Sequence, residues 1–300
     1  MYYVSDDDLK TYIEEHSYGI KTLNFNHCYW LLPRTIYSAM RMCRNLESLS
    51  VIECSIRLSE MLDIILKHLP NLKHLAFSVR SISDIRMEIL QPHRNVFKHL
   101  KSVAIYFKSR QSSNYNVVLH GEEHSLFDLC DELESIYVGS LLEIKDLCRP
   151  IIARPESFHG LKNLCISPNI HSSAHILFYG TISQLPNAAI HYEKLIMPNV
   201  NFKSFIDKDA FRSCFTNIEK LTHLDVSASK IVFNDKVLDM IRNAKQLRYL
   251  NIGTSILSEE LLREVVWNFQ LLQSLNLSGC PSHVVGYSTT SSNFLYFICT

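Results

Sequence analysis

Apolar residues in this chain recur in a short pattern, LxxLxL, in which L is any apolar residue and x is a variable one. The ten copies are Ile20–Phe25, Leu46–Val51, Leu72–Phe77, Leu100–Ile105, Leu133–Val138, Leu161–Ile166, a degenerate Tyr192–Met197, Leu221–Val226, Leu247–Ile252 and Leu272–Leu277. Successive copies begin 25 to 33 residues apart. Because side chains of a strand alternate between its two faces, each copy predicts a short strand with one buried face.

A second apolar pattern, with helical spacing, follows some of these copies. One example comprises Leu58, Met61, Leu62, Ile65, Leu66 and Leu69, and another comprises Leu261, Leu262, Val265, Val266 and Phe269. Pro33, Asn234-Asp235 and Ser258 mark predicted helix starts, because proline suits the first helical turn and short polar side chains cap it. Each unit is therefore a strand, a turn and a helix.

A single unit of this kind cannot bury its own apolar faces, whereas stacked units can. The repeats predict an α/β leucine-rich-repeat solenoid, a horseshoe of about ten strand–helix units with a parallel sheet on its concave side. The predicted domains are an N-terminal cap over 1–19, the repeat domain over 20–280 and an irregular tail or cap over 281–300. The apolar end of that tail, 293–300, is interpreted either as a capping strand or as a truncated or alternatively spliced end.

Cysteines occupy equivalent positions in several units. Leu23–Cys28, Leu49–Cys54 and Leu275–Cys280 share one spacing, and Cys43–Leu46 and Cys130–Leu133 share another. With these motifs the chain resembles the cysteine-containing leucine-rich repeats of F-box proteins, from residue 20 to about 280. The resemblance implies substrate recognition for a cullin-RING (SCF-type) ubiquitin ligase, whose core is recruited through an F-box.

An F-box lies N-terminal to such repeats, and the 19 residues before Ile20 show no Leu-Pro-x-Glu-like start. Either the sequence begins after an F-box, through which the ligase core would be recruited, or there is no F-box. A related possibility is the repeat-plus-armadillo type of cullin receptor, whose strands end in Ser or Thr. The alternative function is a leucine-rich-repeat scaffold or adaptor without a ligase link.

Composition narrows the classes of partner. Lys plus Arg and Asp plus Glu number 30 each, so no overall field favours nucleic acid or an anionic membrane. We also find no apolar run of the roughly 18 residues that a membrane span needs. The nine cysteines include no CxxC pair and follow no signal peptide, which favours free thiols and a cytoplasmic or nuclear protein.

The variable positions between the buried strand residues should face the concave side. The predicted partner-binding residues are Asn24, Ser50, Tyr106, Tyr137, His223, Asp225, Tyr249, Asn251 and Asn276. The tyrosines Tyr106, Tyr137 and Tyr249 rank first, because aromatic side chains dominate binding hot spots. Almost no predicted concave position is charged, which suits a protein substrate or peptide. The alternative interpretation is a solvated surface that binds nothing.

The two longest units carry insertions near 108–126 and 168–191, interpreted as binding loops or as tolerated surface variation. The first insertion contains His120, Glu123 and His124, which match the H-x-x-E-H spacing of a zinc hydrolase. Such a site needs a helix and a third ligand, and Gly121 interrupts the segment. We therefore expect no metal, no cofactor and no enzyme activity, with zinc hydrolysis as a remote alternative.

Overall fold

The computed structural model describes residues 4–80, 82–107, 126–139, 160–167, 192–196, 218–227, 238–239, 241–253, 258–280 and 296–298. The chain forms two compact units, Met1–Pro150 and Ile151–Thr300. The domain boundaries expected from the sequence remain a prediction. None of the helices within the described residues is long and apolar enough to cross a membrane.

The first unit opens with a helix that caps its own amino-terminal end. In α1 (Asp6–His16) the Ser5 hydroxyl accepts the Asp8 N–H and the Asp8 carboxylate accepts the Ser5 N–H. This reciprocal pair satisfies two backbone donors that a helix start leaves open. The helices that follow are α2 (Pro33–Met42), α3 (Leu58–His68), α4 (Met87–Leu90) and α5 (Arg94–Lys98), with 3-10 turns at Ile82–Ile85, Gln91–His93 and Leu126–Leu129.

Five parallel strands of the first unit pair in chain order. They are β1 (Thr22–Asn24), β2 (Ser48–Val51), β3 (His74–Val79), β4 (Ser102–Phe107) and β5 (Ser135–Gly139). The register places equivalent repeat positions side by side. The buried ladder in the core consists of Leu23, Leu49, Leu75, Val103 and Ile136.

The second unit repeats the same arrangement. Its strands are β6 (Asn163–Ser167), β7 (Lys194–Ile196), β8 (His223–Asp225), β9 (Tyr249–Asn251), β10 (Ser274–Asn276) and β11 (Tyr296–Ile298). They are parallel and follow one another in chain order. Helix α6 (Glu259–Asn268) lies between β9 and β10. The predicted α/β leucine-rich-repeat fold is thus confirmed. The apolar tail contributes a strand, because β11 pairs with β10 in register.

Predicted helix starts and buried faces are confirmed with one correction. Pro33 begins α2, and the Ser258 hydroxyl accepts the Leu261 N–H at the start of α6. In α3, however, Leu66 is 43% exposed whereas Ile64 is 5% exposed. These two residues lie on opposite sides of the buried stripe of α3. Which of them is buried depends on the segments that pack against the helix, and the periodicity of α3 does not reveal those segments. The predicted start at Asn234-Asp235 lies outside the described residues.

Candidate functional site: the open face of the sheet

The structure places all nine predicted partner-binding residues on one face of their sheets. We call this surface the open face: it carries the strand side chains that alternate with the buried ones. Eight of the nine are half-buried or exposed, and Asn251 is buried at 8% exposure. Their position is therefore as the alternation predicted, while their role in binding remains a prediction.

In the first unit a pair of tyrosines meets at a glycine. Tyr106 in β4 is the register partner of Gly139 in β5, and Tyr137 lies two residues before that glycine. A Cβ added at Gly139 would come within 2.5 Å of Cδ2 of Tyr106 and 3.0 Å of Cε1 of Tyr137. The missing side chain thus lets both rings lie against the backbone of β5. No charged side chain occupies the open face of β1 to β5.

In the second unit the open face carries a stacked pair of rings. His223 and Tyr249 are register partners, with ring centroids 5.8 Å apart and planes inclined by 26°. Burial, followed by the positive charges of Lys194 and Arg248, lowers the pKa of His223. Burial and then the charge of Asp225 raise the pKa of Tyr249, against the opposing hydrogen bonds of Asn251 and Asn276. Tyr249 is thus linked to Asp225, Asn251 and Asn276 by charge and hydrogen bonds, and to His223 by ring stacking.

The side chains of four predicted residues also form hydrogen bonds at the ends of their strands. Side-chain oxygens of Asn24, Asp225, Asn251 and Asn276 accept the backbone N–H two residues further on, at 2.9 to 3.1 Å. Such Asx turns compete with the ladder hydrogen bonds of a sheet. The strands that contain them are three residues long, whereas those with Ser50, Ala76, Ala104, Tyr137 or Cys165 in that position have four to six.

Lys194 is a member of the open face that the sequence did not reveal. It is the register partner of Asn163 and of His223, and its side chain is exposed. The expectation of an almost uncharged face is therefore correct for the first unit and incomplete for the second. The repeat copy at Tyr192–Met197 is degenerate, but counting one position back from its buried Leu195 would have found the lysine.

Two of the repeat cysteines form hydrogen bonds to the preceding repeat. The Cys54 thiol donates to the carbonyl oxygen of Phe25 (2.9 Å), and the Cys280 thiol donates to that of Ile252 (3.6 Å). Phe25 and Ile252 occupy equivalent positions, each in the repeat that precedes its cysteine. Cys28, which follows the first strand, instead lies 3.7 Å from the oxygen of Asn26.

Three other thiols within the described residues have a raised pKa. Burial raises the pKa of Cys43, and burial together with the charge of Asp131 raises the pKa of Cys130 to about 12. Burial and the charge of Asp225 raise the pKa of Cys165 to about 12. Since the thiolate is the reactive form, the open face offers no activated cysteine at Cys165.

The formal zinc motif, His120, Glu123 and His124, and most of both insertions lie outside the described residues. Within the described ranges, no group of three or more His, Cys, Asp or Glu side chains could hold a metal ion.

Comparisons with known proteins give a structural likeness only. No protein-family model and no curated protein sequence matches the chain. Among solved structures, the chain is similar to one in the crystal structure of the Rad7 and Elc1 complex in yeast. The match has a TM-score of 0.50 and 14% sequence identity, and covers 98% of this chain and 83% of that one. At this identity the likeness shows the fold alone.

Proposed function

We propose that this chain is a protein-interaction module that binds a partner protein on its open face. The observation that carries the proposal is the tyrosine pair Tyr106 and Tyr137, half-buried side by side on a face without charge in β1 to β5. Rigid aromatic rings contribute large contact areas at a small entropic cost, so they make good anchors for another protein. The structurally similar chain comes from a complex of two proteins, which is consistent with such a role.

The finer proposal is that the chain is the substrate-recognition part of a cullin-RING ligase of the SCF type, acting in the cytoplasm or nucleus. It is supported by the resemblance of the Cys28, Cys54 and Cys280 motifs to the repeats of F-box proteins. The alternative, a scaffold or adaptor without a ligase link, would use the same open face. No catalytic role is proposed.

Affinity purification of the tagged full-length gene product from cells tests both the interaction role and the ligase role. Tyr106→Ala/Tyr137→Ala should lose the bound partner by at least ten-fold and retain any ligase subunit, because only the open face changes. A matched control is Tyr12→Ala/Trp267→Ala, whose side chains are exposed on α1 and α6. Both variants must unfold within a few degrees of the original protein.

The outcomes distinguish partner binding on the open face from the ligase role. Loss of the partner from the tyrosine variant without recovery of a cullin or adaptor in any sample would contradict the ligase role and leave the scaffold role. Equal retention of the partner by all three proteins would contradict binding at the tyrosine pair.

A further inference from the structure

Two cations of the second unit lie towards the amino-terminal ends of its strands. Lys194 begins β7, and Arg248 directly precedes Tyr249 at the start of β9. Both side chains are exposed. In the described part of the chain, neither one forms an ion pair, and Glu193, beside Lys194, pairs with neither.

The stacked rings of His223 and Tyr249 lie next to these cations. Register places His223 between Lys194 and Tyr249 across the sheet. Both positive charges act on His223, because they lower its pKa after the larger effect of burial. An apolar surface is therefore flanked by two positive charges.

The nearby carboxylate of Asp225 already accepts three hydrogen bonds from within the chain. It accepts hydrogen bonds from the Ser227 N–H (2.9 Å), the Ser227 hydroxyl (2.7 Å) and the Asn251 amide (3.0 Å). Asp225 lies two residues beyond His223, towards the carboxyl end of β8. The face is thus positive at one end and negative at the other, which would orient a charged ligand.

We propose that this part of the open face binds an extended acidic segment of the partner protein. Two strand spacings separate β7 from β9, so Lys194 and Tyr249 are roughly 10 Å apart across the sheet. An extended chain covers that distance in about three residues. Side chains of an extended chain share a face only at even spacing, so the segment would carry two carboxylates two or four positions apart. With four, the apolar side chain midway between them would lie on the rings.

Lys194 and Arg248 belong to β7 and to the start of β9, with β8 between them, so we propose a ligand with two acidic groups and use the phosphoserine peptide to test that choice. The inference rests on the proposed function, since it specifies the ligand of the same surface.

The test is selection from a random 12-residue peptide library on the full chain. We expect the selected peptides to carry Asp or Glu at two positions that are two or four residues apart. The leading peptide is then synthesised with Glu, Gln or phosphoserine at those positions, and its affinity is measured by fluorescence anisotropy at low and high salt. Replacing both Glu by Gln should weaken binding by about five-fold, and salt should weaken the Glu peptide more.

Charge-removing variants test whether Lys194 and Arg248 cause the preference for the Glu peptide. Lys194→Gln/Arg248→Gln should bind the Glu and Gln peptides equally, at unchanged unfolding temperature. The matched control, Lys67→Gln/Lys98→Gln, removes two exposed lysines from α3 and α5 and should still prefer the Glu peptide.

Other results would overturn the inference. Selected peptides without the acidic pair, or a phosphoserine peptide that binds when the Glu peptide does not, would do so while leaving binding to the open face intact. Failure to select any peptide, together with partner retention by Tyr106→Ala/Tyr137→Ala, would overturn the proposed function as well.

Discussion

Single residues shape the open face through small steric constraints. Tyr106 and Tyr137 owe their arrangement to the missing side chain at Gly139, where an added Cβ would meet a Tyr106 ring carbon at 2.5 Å. A second constraint recurs in the turn after the strand, where His27, Glu53 and Gly279 all have positive φ angles of 57° to 71°. Each precedes a repeat cysteine whose N–H closes the turn.

Gly139→Ala should therefore destabilise the protein by about 1 kcal/mol, because the Tyr106 ring must move out of a packed position. Chemical unfolding measures the loss, and the NMR signals of the Tyr106 ring report the movement. Gly19→Ala is the control, since its nearest atom would be at an ordinary 3.8 Å. Unchanged stability and unchanged Tyr106 signals in Gly139→Ala would contradict the packing described.

Glu53→Gly should be more stable than Glu53→Ala by about 1 kcal/mol, because a Cβ is costly at positive φ. Both substitutions remove the contact between the Glu53 carboxylate and the His27 ring (2.8 Å), so their difference isolates the backbone effect. Thermal unfolding of the two variants gives the comparison. Equal stability would mean that the turn relaxes to another conformation.

For single residues, the sequence predicted the face of the sheet on which a side chain lies better than it predicted the hydrogen bonds of that side chain. Alternation around Leu23 or Leu250 was sufficient to place Asn24 and Tyr249 on the open face. It could not show that the Asn251 oxygen is already engaged with the Gly253 N–H, because such a hydrogen bond depends on the local backbone. Periodicity also gave no reason to prefer Ile64 over Leu66 in α3.

Strand length follows the central side chain in nine of the eleven described strands; the exceptions, β7 and β11, have Ile196 and Ile298 at that position and are three residues long. An Asx turn at Asn24, Asp225, Asn251 or Asn276 ends the strand after three residues, while a small or aromatic residue in that position allows it to continue. Strand positions followed from the LxxLxL spacing, whereas strand lengths required the hydrogen-bond geometry. Similarly, the outer segment between β3 and β4 is divided into short helical pieces around Pro92, which cannot donate a backbone hydrogen bond.

Asn251→Ala should destabilise the protein by about 2 kcal/mol, because it leaves the buried Gly253 N–H without its acceptor and Asp225 without one donor. Asn24→Ala should have a smaller effect, since Asn24 is exposed and accepts only the Asn26 N–H. Urea unfolding curves compare the two. An effect at Asn24 equal to that at Asn251 would contradict the difference in burial.

A half-buried carboxylate links the first three strands at their amino-terminal ends. Glu47 forms ion pairs with Lys21 and Lys73, each at 2.9 Å. Hydrogen bonds from Lys21 and Lys73, followed by their charges, lower the pKa of Glu47 from 4.5 to about 2. A lowered carboxyl pKa stabilises the fold above the unfolded value and loses this contribution as the pH falls towards the folded value.

The unfolding temperature of the original protein should therefore fall more steeply between pH 4.5 and 2 than that of Glu47→Gln. The difference should shrink at high salt, because the pairs are exposed to solvent. Parallel pH profiles of the two proteins at low salt would show that the lysines do not hold Glu47 ionised.

Over the whole chain, equal numbers of positive and negative residues conceal an uneven open face. The strands of the first unit present hydroxyl, methyl and tyrosine groups together with the Asn24 amide and the His74 imidazole, while those of the second add the charges of Lys194 and Asp225. Composition predicted a neutral surface because it averages over all positions, and only the register assigned the charges to strands. The open face of the first unit thus differs chemically from that of the second.

Hydroxyl-radical footprinting of the chain with its purified partner tests the central claim most directly, because tyrosine and tryptophan side chains report their own exposure. We predict that oxidation of Tyr106, Tyr137 and Tyr249 falls several-fold in the complex. Oxidation of Tyr12 and Trp267, which are 57% and 81% exposed on α1 and α6, should not change. Protection of Tyr12 or Trp267 with undiminished oxidation of the three strand tyrosines would contradict partner binding on the open face.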